Sequence, residues 1–411
     1  MITLMLKKII GRFKNNINAA ALMIIKQIFT LFLKKDPKLV LFGAHNGDFY
    51  SDNSKHLFEW VLKERPDINA CWITRSNKIY EKLKSSGKPV ETMNSIEGIK
   101  LLAKAKVALY TNRPKDIAIS SSFIPKTLGL IALRHGKSVK KIRYAREIHK
   151  ISKKEYDDRK HESNLIKYVI STSEFVSDIQ EECIRVGRNK HIVTGYPRND
   201  YFFNPVYSHD ILDRFISVDK KEEVILYAPT WRHGREPTQF FPFDDFSKEL
   251  LVTFLKKHNA KILIRPHKNE LKCKEVMDFL NDLTFGNDEI TLVTHKDLHD
   301  VNMLLPFIDG MITDYSSIYH DFLLLDKPII FIPYDYKEYN EQNGFLYDYF
   351  SNLPGPAART LKEFCSLLAD IFNGVDAYRE KRRLLTDKIH KFKDGNSCRR
   401  VMALADKLLG S

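Results

Sequence analysis

Two short stretches of this chain gather residue types that handle phosphate: Arg265-Pro266-His267, and Thr313-Asp314-Tyr315-Ser316-Ser317. A guanidinium supplies fixed charge and a fork of donors, an imidazole titrates near neutral pH, and hydroxyls add further donors. The second stretch opens a longer unit, Asp309–Pro333. An apolar run ends at Thr313, a polar turn follows, and the spacing of Ile318, Phe322 and Leu325 then predicts a helix with one apolar face. Asp326-Lys327 closes that helix, and Pro328–Ile332 reads as a buried strand. A helix start is an anion site because its first amides lack partners and its dipole favours negative charge. The same start is also served by Asp314 or Ser316 as a simple N-cap.

Such residues need elements to position them, and the chain supplies a repeated strand–helix–strand pattern. Short apolar runs at 39–42, 70–73, 89–92, 107–110, 129–133, 168–171 and 192–195 alternate with helical stretches, and a polar segment near 207–221 separates them from a second series. That series has strands at 224–228, 260–264, 290–293, 309–313 and 328–332, and 361–409 is helical in character with a break near Asp394-Gly395. The alternation predicts parallel sheets covered by helices, in two Rossmann-like domains facing a cleft. The expected divisions are 1–35, 36–206, 207–385 and 386–411. Ligands in such sheets sit at the carboxyl ends of strands. His135, Arg198, Thr230-Trp231-Arg232, Arg265–His267 and Asp314–Ser317 all follow predicted strands.

Charge narrows the partners. The 411 residues carry a net +14, and it is concentrated: residues 1–35 hold seven Lys/Arg and no acid, and residues 137–160 hold ten against four. Within the first segment, Ala19–Leu33 is apolar but short, and Lys26 interrupts it, so a basic amphipathic helix on an anionic membrane surface is expected rather than a span. A nucleic-acid partner is not expected, since it would leave the motifs at the strand ends unexplained. Five scattered cysteines without a CxxC predict a reducing compartment and no structural zinc.

Taken together the motifs resemble the CDP-glycerol glycerophosphotransferase family of teichoic-acid and capsule synthesis. The resemblance rests on YAPTWR (Tyr227–Arg232), RPH (Arg265–His267) and the run from Asp300 to Phe331. GYPRND (Gly195–Asp200), SDN (Ser51–Asn53), PGP (Pro354–Pro356) and DGN (Asp394–Asn396) support it. It implies an α/β fold of GT-B type, with an acceptor-side N-terminal domain, a CDP-polyol-binding C-terminal domain and terminal helices. It also implies peripheral attachment to the cytoplasmic face of a bacterial membrane, and no cofactor or metal. The implied reaction moves glycerol phosphate or ribitol phosphate from a CDP-polyol to a hydroxyl of a lipid-linked or polymer acceptor, releasing CMP. His135 matches the family's His-Gly and is the expected base. His267 is expected on the donor phosphates with Arg265, Ser316 and Ser317 beside it and Thr313-Asp314 in the same turn. Asp321 is expected to reach the donor, and Thr230 and Arg232 to contact the nucleotide. His299 and His320 read as surface residues. The chain departs from the family at Arg134–Lys141, RHGKSVKK where WHGTPLKK is usual, and at Tyr319-His320-Asp321, where an aromatic precedes the aspartate. The competing reading is a GT-B glycosyltransferase using a nucleotide sugar.

Overall fold

The computed structural model describes residues 19–146, 152–203, 211–216, 222–232 and 236–410. The chain forms two compact units, one drawn from 1–135, 153–170 and 398–411, the other from 136–152 and 171–397. The chain thus passes between units at 135/136, 152/153, 170/171 and 397/398, rather than at the expected boundaries 206/207 and 385/386.

The first unit begins with α1 (Ala19–Phe32), then β1 (Asp36–Gly43), α2 (Asp52–Glu64), β2 (Asn69–Thr74), α3 (Asn77–Ser85), β3 (Val90–Thr92) and α4 (Ile96–Lys104). It continues with β4 (Ala105–Tyr110), β5 (Gly129–Ala132), α5 (Lys153–Leu165) and β6 (Ile166–Ser171). Its strands pair in the order β3-β2-β1-β4-β5-β6. The register sets Val40 beside Ala70 on one side and Val107 on the other, both parallel. Covered on both faces, such strands read as continuous apolar runs, which is why they were legible. Residues 1–18 of the expected membrane segment lie outside the described residues. Within α1, Leu22, Ile25 and Phe29 are buried, whereas Ile24, Leu31 and Phe32 are exposed. The buried face packs against α4.

The second unit holds α6 (Glu174–Ile184), β7 (His191–Val193), β8 (Glu223–Tyr227), α7 (Lys248–Lys257), β9 (Ala260–Ile264), α8 (Lys274–Thr284), β10 (Ile290–Leu292) and β11 (Gly310–Thr313). After these come α9 (Ile318–Phe322), β12 (Ile329–Phe331), α10 (Tyr336–Asn343), α11 (Leu361–Phe372) and α12 (Arg379–Ile389). A five-stranded parallel sheet runs β10-β9-β8-β11-β12. Alternate residues feed opposite cores: Val224, Leu226, Met311 and Phe331 enter one, and Ile225, Tyr227, Ile312 and Ile330 the other. Successive side chains on a strand point to opposite faces, so one sheet builds two cores. Helix starts are fixed by hydroxyl caps, Ser173 on the amide of Val176 and Thr360 on that of Glu363.

A last helix, α13 (Ser397–Leu409), belongs to the first unit from Cys398 onward. Arg65 pairs with its Asp406 at 3.0 Å. Leu408 packs so near Gly129 that a Cβ there would lie 2.9 Å from its Cδ1.

Candidate active site

In the second unit the chain runs from β8 outward to β10, then returns to place β11 and β12 on the other side of β8. The crevice between β8 and β11 is therefore a topological switch point, where open α/β sheets bind ligands. The loop after β8 brings Thr230 and Arg232, and the loop after β11 brings Asp314. Asp314 joins the two loops: its carboxylate accepts from the Thr230 amide at 2.8 Å, the Tyr315 amide at 2.5 Å and Arg232 Nη1 at 2.6 Å. Arg232 also donates to both oxygens of Asp335, at 2.7 and 2.8 Å. Its guanidinium lies 4.9 to 5.3 Å from the ring centres of Tyr315, Tyr334 and Tyr339. Burial alone would lower the Arg232 pKa, but Asp314 and Asp335 outweigh it and the shift is upward. Thr313 spends its hydroxyl on the carbonyl of Ala228 at 2.8 Å. Of these four expected contacts, Thr313, Asp314 and Arg232 hold the crevice together. Thr230 Oγ1 is buried and has no hydrogen-bond partner among the described residues.

The turn leads into α9, which is only five residues long. A helix that short has little aligned dipole, so the anion-binding capacity of this turn rests on its hydroxyls. Ser317 makes no side-chain cap bond, and Ser316 and Ser317 are both half-buried. Asp321, one turn on, is buried. It accepts from Arg198 Nη2 at 2.5 Å and from Asn199 Nδ2 at 3.1 Å. Its carboxylate positions Arg198, and Gly136 lies against that arginine: a Cβ on Gly136, whose φ is +121°, would sit 2.8 Å from Arg198 Nη2.

Arg265 differs from Arg198 and Arg232. It is half-buried, donates to the Val293 carbonyl at 3.3 Å, and has no carboxylate within ion-pair distance among the described residues. Burial lowers its pKa to about 10, with Asp300 and Asp297 acting the other way, so it stays charged at neutral pH. His267 stacks on Trp231 with ring centres 5.1 Å apart. Its Nδ1 accepts from the Asn269 amide at 3.3 Å, which leaves Nε2 carrying the proton in the neutral ring. Burial first, then Lys268, Lys140 and Arg265, push its pKa down.

Sequence reasoning missed a buried cluster beside this turn. His320, expected at the surface, is 2% exposed. Its Nε2 lies 3.3 Å from Lys137 Nζ and 3.0 Å from Tyr347 Oη, and its carbonyl accepts from His390 Nε2 at 2.6 Å. Lys137 Nζ sits 3.8 Å from the Tyr347 ring centre. Two departures from the family pattern, Lys137 and His320, thus meet as one contact. His299 is exposed, as expected.

His135 follows β5 in the first unit and is exposed. The residue before it, Arg134, has a left-handed φ of 57°. The Asn53 amide holds that turn by donating to the carbonyls of Leu133 at 3.2 Å and Arg134 at 2.8 Å. Asn53 is the last residue of the SDN stretch, and this is the structural work the motif performs.

Residues 25–405 match the sequence profile of CDP-Glycerol:Poly(glycerophosphate) glycerophosphotransferase. The chain belongs to this family. A teichoic acid glycerol-phosphate transferase of Staphylococcus aureus (strain NCTC 8325 / PS 47) is 30% identical over 403 residues, covering 93% of this chain and 98% of the relative. A teichoic acid poly(glycerol phosphate) polymerase of Bacillus spizizenii (strain ATCC 23059 / NRRL B-14472 / W23) is 25% identical over 399 residues, covering 92% and 93%. The structure of the wall teichoic acid polymerase TagF superposes with a TM-score of 0.76 at 21% identity, covering 98% of this chain and 97% of that one. A UDP-N-acetylglucosamine 2-epimerase from Listeria monocytogenes also shares the fold, at a TM-score of 0.56 and 14% identity. The fold is therefore shared with sugar-nucleotide enzymes, and family membership identifies the chain as a CDP-polyol phosphotransferase of teichoic-acid synthesis.

Proposed function

We propose that this enzyme takes CDP-glycerol as donor and transfers glycerol phosphate to a hydroxyl of a lipid-linked or polymer acceptor. The carrying observation is Arg265, a half-buried guanidinium with no carboxylate partner among the described residues, while Arg232 and Arg198 are both paired. A buried cation without an anion favours a ligand that supplies one. The donor pyrophosphate is such a ligand, and the neutral His267 would offer it Nε2–H, with Ser316 and Ser317 adding hydroxyl donors. Glycerol is favoured over ribitol because the glycerol-phosphate relative aligns over 93% of this chain, whereas a Staphylococcus aureus ribitol-phosphate polymerase aligns over 60%.

In the reaction an acceptor oxygen forms a bond to the phosphorus bearing glycerol. The bond from that phosphorus to the bridging oxygen breaks, and CMP leaves with that oxygen. His135 takes the acceptor's proton. Donors preorganised around the leaving phosphate stabilise the charge that develops there. The enzyme works at an anionic membrane surface on the cytoplasmic side, held by the basic N-terminal segment. The exposed Ile24, Leu31 and Phe32 of α1 support this, and no helix among the described residues is long and apolar enough to cross a membrane.

The test is transfer of radiolabelled glycerol phosphate from CDP-glycerol with stoichiometric CMP release. His135→Ala is expected to stop transfer while CDP-glycerol binding persists. Loss of donor binding in that variant would refute the base assignment, and UDP or GDP release with sugar transfer would refute the reaction.

A further inference from the structure

The first unit has a switch point of its own. Its chain runs from β1 outward to β3 and then returns to place β4 on the other side of β1. The loops after β1 and β4 carry a constructed cluster that the donor chemistry leaves unexplained. Three successive residues after β1 are left-handed, His45 at φ 49°, Asn46 at 57° and Gly47 at 82°, and Asp52 nearby is at 66°. His, Asn and Asp enter that region more readily than other non-glycine residues, and the buried Asp116 fixes the loop, accepting from the Asn46 amide at 2.7 Å and the Asn112 amide at 2.6 Å. One carboxylate thereby joins both walls of the crevice. Thr74 Oγ1 fixes the same loop through the Gly47 carbonyl at 2.7 Å.

The loops are held so that His45 and Asn112 meet. His45 Nδ1 lies 3.0 Å from Asn112 Nδ2, and its Nε2 lies 3.6 Å from Asp52 Oδ2. Since an amide nitrogen only donates, Nδ1 accepts and Nε2–H faces Asp52. The His45 side chain is 31% exposed. Asn112 Oδ1 is buried with no hydrogen-bond partner among the described residues. A flipped amide would exchange the roles and leave Nδ2 bare instead. A hydroxyl, which both donates and accepts, satisfies either arrangement.

We propose that this crevice seats the polyol end of the acceptor, with Asn112 bonding a hydroxyl and the His45 ring, oriented by Asp52, forming the wall beside it. This rests on the acceptor-hydroxyl reading above and assigns that acceptor to residues of the first unit. The pair acts in binding, since both ring nitrogens of His45 are already engaged.

The experiment measures transfer by the full chain from CDP-glycerol to a soluble glycerol-phosphate primer, for Asn112→Leu and His45→Phe. KM for the primer is expected to rise at least tenfold in each, with KM for CDP-glycerol within twofold of the parent. An unchanged primer KM overturns the proposal, as does a parallel rise in both KM values. His45→Asn, which tolerates the left-handed backbone, must show the same pattern and guards against a folding defect. If the parent transfers nothing from CDP-glycerol, the reaction reading fails alone. Calorimetric binding of the primer to the parent and to Asn112→Leu then decides the crevice, and equal affinities overturn it.

Discussion

Replacing Arg232 by methionine tests whether the β8–β11 crevice is held by a charge knot or lined by a nucleotide contact. The substitution keeps much of the side chain's length and removes its charge. It strands Asp314, which is 1% exposed, and deprives Asp335 of two hydrogen bonds at 2.7 and 2.8 Å. Removing one partner of a buried ion pair costs about 3–5 kcal/mol, because the remaining charge has no compensation. For a unit of roughly 150–250 residues each kcal/mol lowers the melting temperature by about 2–4 °C, so a fall of about 6–20 °C is expected. Thermal melts followed by circular dichroism at neutral pH read it directly. Adding Asp314→Asn and Asp335→Asn to the methionine variant should recover part of the loss, since removing all the charges costs less than stranding two. A variant that melts within about 2 °C of the parent, yet binds CDP-glycerol poorly, would refute the reasoning and make Arg232 a donor ligand.

Three further outcomes are expected. Arg265→Gln should lower kcat/KM for CDP-glycerol by about 10- to 100-fold, the loss of a charge-assisted bond worth about 1.5–3 kcal/mol, with an unchanged melting temperature; undiminished donor use would exclude Arg265 from the phosphates. Lys137 is pushed well below the usual lysine range by burial, and then by Lys388; its neighbours His320 and His390 are pushed down too, and Tyr347 up. The unfolded chain therefore binds a proton that the folded one has released, so stability rises with pH toward the ordinary lysine value. Lys137→Met should flatten that rise above neutral pH, and melting curves parallel to the parent's would contradict it. Leu31→Glu with Phe32→Glu should weaken sedimentation with anionic vesicles without lowering transfer to a soluble primer; unchanged sedimentation would place attachment elsewhere.

The strand ends were legible because buried parallel strands such as Val224–Tyr227 and Ile262–Ile264 are unbroken apolar runs, and the polar residues after them fall on one edge of the sheet. Their individual duties were not. Thr313, Asp314 and Ser316 look alike in sequence, yet Thr313 and Asp314 bond their own neighbours and Ser316 stays half-buried, a distinction made by long-range pairing with Ala228, Thr230 and Arg232. Nothing local sets Lys137 apart within its basic run, and His320 reads as a surface residue because it falls off the apolar face set by Ile318, Phe322 and Leu325. Their burial is decided by Tyr347 and His390, far along the chain. The unit boundaries were hidden for the same reason: no local signal announces that α13 reaches Gly129 of β5 and Arg65.

That return of α13 has a consequence for how the protein is made. Lys106 Nζ bonds the carbonyl of Leu409, and Arg65 pairs with Asp406. The first unit therefore cannot close during synthesis until residues beyond 397 have emerged, while positions 171–397 form an almost continuous stretch that can condense earlier. The half of the molecule begun first is completed last, and the Gly129 face that α13 covers stays open to chaperones and to aggregation in the interval.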